Sequence, residues 1–205
     1  VMVLVGVAGT VITTGALLWR SVALESLPAE SVLGLAALVL GLACYVSTVA
    51  RHVSQGVTGS DPYCYLQMAI DLGQRGTLLH DFPLASLARE ARVPVWPVVH
   101  VGYHPPIVGT LAPTVWPMGW PVLLAPFFLA GGERAALWAA PLWSVLAALV
   151  TWRLAQALWC DAPRGKRWLA AGLAALITIT SAEATLRSLV PMADAAAQAL
   201  SVLTL

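Results

Sequence analysis

The chain has 205 residues, 59% of them hydrophobic and 10% charged, with a net charge of +1. Soluble domains carry about 25% charge, and a soluble core cannot hide this much apolar surface. The composition therefore excludes an ordinary soluble enzyme, and the absence of any basic stripe excludes a nucleic-acid partner; the lipid bilayer is the solvent for most of the chain.

A run of about 20 apolar residues crosses the roughly 30 Å hydrocarbon layer. Val1–Trp19 meets that length and lacks the basic leader of a signal peptide. Val32–Ala50 is a second span, so residues 1–50 read as two transmembrane helices. Residues 51–134 change character: Arg51–Val115 holds all four histidines and four of the ten acids. Within it, Gly59–Leu79 predicts a short surface helix near 61–73. Ser60 or Asp61 suits a cap and Pro62 the first helical position; Tyr65, Met68, Ala69 and Leu72 share one face, and Gly73 and Gly76 offer stops. Pro117–Ala130 is apolar but short, with three prolines, and reads as a second interfacial helix ended by Gly131 and Gly132.

Residues 135–205 read as three further spans: Ala135–Trp159, Trp168–Ala182 with Leu186–Val190 as an extension, and Met192–Leu205, the last one cut by the chain end. The chain opens inside one apolar run and stops inside another, which reads as a fragment of a longer protein. The basic loop with Arg164, Lys166 and Arg167 points to the cytoplasm. Residues 51–134 and 183–191 then share the opposite, extracytoplasmic face. Cys44, Cys64 and Cys160 lie on three different segments without a CxxC pair and predict no disulfide framework.

Asp61, at the start of the first surface helix, is a candidate carboxylate base, since a helix N-terminus favours its ionised form; a plain helix cap explains the same residue. Glu183 and Arg187 are spaced as a helical ion pair, and Asp194 is an acid at the mouth of a span, where charge is costly. His100 and His104 are four apart, but the surrounding prolines disfavour the helix that would bring both to one metal.

The order of these features resembles the membrane glycosyltransferases of the GT-C fold, in particular the protein-mannosyltransferase and aminoarabinose-transferase-like group, glycosyltransferase family 39. Three stretches carry the resemblance: Asp61, Tyr65, Leu66, Ala69, Leu72 and Gly76; then Pro117, Gly119, Pro121, Leu123, Leu124, Gly131 and Gly132; then Arg187, Met192 and Asp194. The resemblance implies an all-α, polytopic transmembrane bundle in a bacterial inner membrane, with a long extracytoplasmic loop containing interfacial helices. It implies transfer of a sugar from a polyprenyl-phosphate donor to a protein, lipid or glycan acceptor outside the cytoplasm. Asp61 and Asp194 are then the catalytic carboxylates, and Tyr65, Arg187 and His104 the substrate-binding residues. No metal ligand is assigned, and a divalent metal is the one cofactor the chemistry would admit. The chain departs from the mannosyltransferases at Asp61-Pro62, where they tend to carry Asp-Glu, and by the additional span Val1–Trp19. A secondary transporter and a non-catalytic membrane scaffold are the competing readings.

Overall fold

The structure is a computed structural model that describes residues 27–57 and 59–205; the expected span Val1–Trp19 lies outside them. Among the described residues the fold is mainly helical: α1 (Ala29–His52), α2 (Ser60–Arg75), β1 (His80–Asp81), α3 (Leu84–Glu90), β2 (Leu111–Ala112), α4 (Gly119–Leu137), α5 (Ala139–Leu158), α6 (Arg164–Thr180), α7 (Ala182–Ser188) and α8 (Asp194–Leu203). The described residues divide into two compact units, a helical one comprising those up to Val53 together with Ala140–Leu205, and a loop unit, Ser54–Ala139.

In the helical unit, α1 and α5 are long and apolar enough to cross a membrane, and α6 with α7 makes a third span if the bent pair is counted as one. At 1.5 Å per residue, the 17 residues of α6 cover only about 25 Å. The continuation expected from Leu186–Val190 exists as α7, bent 54° away from α6 rather than prolonging it. Met192–Leu205, expected to begin a span that the chain end cuts off, holds the helix α8 from Asp194 to Leu203.

The buried face of α1 is Ser31, Gly34, Leu38, Gly41, Tyr45 and Val49, one residue per turn, while Val32, Leu33, Val39, Leu40 and Val46 point outward. Small residues inside and branched aliphatics outside is the pattern of a helix packed by close backbone approach in lipid. Gly34 lies against the backbone of Trp168 and Leu169 and against Gly172; Gly41 lies against Leu176 and Ile179. Residue numbers climb both helices together, so α1 and α6 run parallel. Leu38 clusters with Trp152, Trp168, Ala171 and Ala175, and the next layer joins Tyr45 and Val49 to Ala148 and Ile179. Numbers fall along α5 as they rise along α1, so α5 is antiparallel to both. Val53, Ala140 and α7 therefore lie at one end of the helical unit, and the Tyr45 hydroxyl donates to Ser188 Oγ at 2.7 Å to tie α7 down. Arg164, Lys166 and Arg167 crowd the N-terminal turn of α6, where cations oppose the helix dipole by roughly 0.3–1 kcal/mol each.

The loop unit is a packed body with a core of its own. Cys64, Phe82, Ala85, Val99, Tyr103 and Ala112 are buried together, flanked by Tyr63, Val95, Val98 and Trp116. A two-stranded antiparallel ladder pairs His80 with Ala112, so the expected all-α character gives way here to a small mixed element. The first surface helix begins at Ser60, one turn position earlier than a cap at Ser60 or Asp61 allows. Gly59 is the capping residue, and neither side chain makes a cap hydrogen bond. The reason is conformational: Gly59 has φ +82°, a value that glycine alone adopts cheaply. The helix stops at Gly76, in the left-handed region; Gly73 is not a stop but lies inside the helix against the Phe128 ring. The second surface helix, α4, breaks at Gly131 and Gly132 as expected, the latter at φ +67°, and then resumes to Leu137.

Candidate functional site

Two groups of polar residues emerge, one in each unit. In the helical unit, Arg187 Nε donates to Glu183 Oε1 at 2.5 Å and Nη1 to Asp194 Oδ1 at 3.3 Å. The i,i+4 spacing on α7 makes the first bond; the turn between α7 and α8 makes the second. The structure thus brings together the two sequence-predicted residues Arg187 and Asp194, with Arg187 shared between Asp194 and the expected helical partner Glu183. All three are about half exposed or more, so as a stability element the cluster contributes little. Its value is positional: one guanidinium, two carboxylates, and Nη2 engaged by neither.

Asp194 also lines a small cavity of about 30 Å³ with Tyr45, Ser144, Thr178 and Gln198. The lining is partly polar, with Tyr45, Ser144, Thr178 and Gln198 beside the Asp194 carboxylate. Ser144 is itself buried, its hydroxyl donating back to Ala140 O at 3.1 Å. The result is a polar seam reaching from Arg187 into the helix packing.

In the loop unit, Asp61 sits in the first turn of α2, half-buried, and accepts a hydrogen bond from Ser60 Oγ at 2.6 Å. Among the described residues no cation forms an ion pair with it. Its negative charge is supported by the unpaired backbone N–H groups of the helix N-terminus instead. One turn on, Cys64 is fully buried; burial, with the Asp61 charge second, pushes its thiol up to about 11. Cys64 is thereby a packing residue and no nucleophile at neutral pH.

The remaining predicted residues take different places. Tyr65 is buried against the Trp116 ring. His104 is exposed, its backbone N–H bonded to Pro113 O at 3.0 Å. His100 turns inward, stacked on Tyr63 at 4.2 Å between ring centroids. Its Nδ1 accepts the Gly102 N–H, which leaves the neutral ring its proton on Nε2. Burial lowers the His100 pKa. The two histidines thus face different surroundings, and among the described residues no group of three or more His, Cys, Asp or Glu side chains converges as metal ligands would.

The sequence reading missed Asp71. It is fully buried, bonded to Arg75 Nη2 at 2.5 Å and to His80 Nδ1 at 2.9 Å. His80 in turn meets the Phe82 ring edge-on at 4.8 Å. The signal was present: Asp71 follows Cys64 and Met68 at helical spacing, so it falls on the apolar face of α2, where an acid must find partners. This cluster clasps β1 to α2. Tyr45 and Ser188 were missed as well, because nothing local relates residues 143 positions apart.

Compared with known protein families, curated proteins and solved structures, the chain finds no match in any of the three.

Proposed function

We propose that this chain belongs to a membrane glycosyltransferase that moves a sugar from a polyprenyl-phosphate donor to an acceptor hydroxyl or amine on the non-cytoplasmic face. The observation that carries the reading is the parallel run of α1 and α6 with α5 antiparallel. It sets the two points where the chain enters and leaves the loop unit at the same end of the helical unit as the Arg187–Asp194 pair. A single-faced reaction needs that arrangement. In the proposed step, Asp61 takes the proton of the acceptor hydroxyl while the acceptor oxygen forms its bond to the sugar C1. The bond from C1 to the phosphate oxygen breaks, and polyprenyl phosphate leaves with one more negative charge. A cation must stabilise that growing charge, as oriented cations do in transition states; the resemblance gives this role to Arg187, which Asp194 holds within the helical unit.

A secondary transporter would keep ionisable groups near mid-depth. Here the charged residues of α1, α5 and α6 gather toward the helix ends: Glu30 and Arg51, Arg153, and the basic turn of α6. The test is transfer by the full protein in nanodiscs, with radiolabelled polyprenyl-phosphate hexoses as donors. Asp61→Asn should remove transfer while membrane insertion is unchanged. Full activity in that variant would take Asp61 out of the mechanism, and ion-coupled uptake without transfer would replace the reading with transport.

A further inference from the structure

We propose that the tip of a hairpin in the loop unit, Ile107–Val108, inserts into the lipid headgroup layer and gives this unit a membrane contact of its own. The hairpin is defined by the bridge between Tyr103 and Thr114 and by the Val115 N–H bonded to Gly102 O at 3.0 Å. At its tip Ile107 is 91% exposed and Val108 85% exposed. Two adjacent aliphatic side chains held this far out in water are unfavourable.

The backbone beneath them is prepared for a less polar medium. Arg89 of α3 donates from Nη1 to Pro106 O at 3.0 Å and from Nη2 to Gly109 O. The carbonyls on either side of the aliphatic pair are therefore satisfied within the protein, which removes much of the penalty for taking them out of water. Pro105 and Pro106 contribute no N–H groups to be satisfied. The turn closes through Gly109 at φ +66°. The tip is thus a braced structure whose outward chemistry is aliphatic.

Three observations select lipid as the occupant. The unit runs from Ser54 to Ala139, and both helices that bound it, α1 and α5, are long and apolar enough to cross a membrane. It is tethered at both ends to the bilayer, with Val53 alone between α1 and its first residue. The charge pattern fits as well: residues 91–132 contain no Asp or Glu, while the Arg89 guanidinium reaches the carbonyls on either side of the tip. An anionic headgroup layer meets no acid within this stretch and finds the Arg89 cation. Finally, α3, which carries the bracing Arg89, itself exposes Leu84 and Leu87, three apart and so on one helix face.

The test uses the full chain in nanodiscs of phosphatidylcholine and phosphatidylglycerol. An environment-sensitive fluorophore is attached at Ile107→Cys or Val108→Cys in a Cys44→Ser, Cys160→Ser background; Cys64 stays buried and unlabelled. Both positions are exposed, so the substitutions leave the packing intact, and Gln74→Cys serves as an exposed polar control. The expected result is blue-shifted emission at 107 and 108, quenched by nitroxide-bearing lipids and shielded from iodide, with the opposite behaviour at 74. Iodide quenching at 107 and 108 with no effect of nitroxide lipids overturns the proposal. So does shielding seen only in native membrane vesicles and not in pure-lipid nanodiscs, which would assign the tip to a protein partner instead.

Discussion

Replacing Asp71 with Ala should open the loop unit without touching the helical one. Asp71 has no exposed surface, whereas its partners differ: the Arg75 side chain is 42% exposed and that of His80 17%. Breaking a buried pair from one side costs about 3–5 kcal/mol when the remaining charge is stranded. Here Arg75 can turn into water, so most of its share is lost to solvent screening. What remains is the orphaned His80 nitrogen, the unclasped β1 and the space vacated, together about 2–3 kcal/mol. At 1.4 kcal/mol per tenfold, the open population rises by about 30- to 150-fold. Cys64, fully buried in the same unit, reports it: in a Cys44→Ser, Cys160→Ser background, the rate of Cys64 alkylation tracks opening. Arg75→Ala should raise that rate by no more than about fivefold, the value of an exposed pair. Cys64 labelling in Asp71→Ala as slow as in the parent would refute the clasp.

Three other outcomes follow from the same geometry. Because the folded Cys64 thiol keeps its proton up to about 11 while its ordinary value is 9.0, the folded loop unit binds more protons than the unfolded one across that interval. Its stability should fall as pH rises from about 9 to about 11; denaturant titrations of Cys64→Ala should lose the slope that begins near 9, while the part above 10 that Tyr63 and Tyr103 add, their hydroxyls also pushed up by burial, should remain. Gly172→Leu places a side chain where the backbone of Gly34 already lies and should lower thermal stability in detergent by the 1–3 kcal/mol or more typical of overpacking. Gly119→Ala, with open space around its Cβ position, is the matched control. An impermeant maleimide should reach Cys160 from the cytoplasmic side and Ser54→Cys from the other side. Labelling of both from one side would refute the proposed orientation.

The amino-acid sequence alone determined the solvent and the punctuation. The apolar runs that became α1 and α5 were legible because membrane thickness sets a length that counting can find. The stop at Gly76 and the break at Gly131–Gly132 were legible because glycine's conformational freedom is a local property. The Glu183–Arg187 pair was legible because one helical turn relates the two residues. Tertiary structure alone decided what lies beyond a turn or two. In lipid, hydropathy does not distinguish the packed face of α1, with Gly34 and Gly41, from the outward face with Val32 and Leu40; only the fit against α6 does, and that fit makes the pair parallel. Asp194 joins Arg187 through the angle between α7 and α8. The segment expected to be a long loop holds a core of its own because Cys64, Phe82, Val99 and Ala112 meet from distant positions. Asp71 is buried rather than solvated for the same reason: local spacing pairs it with Arg75, but only the closing of β1 over α2 removes it from water and brings His80 to its second oxygen.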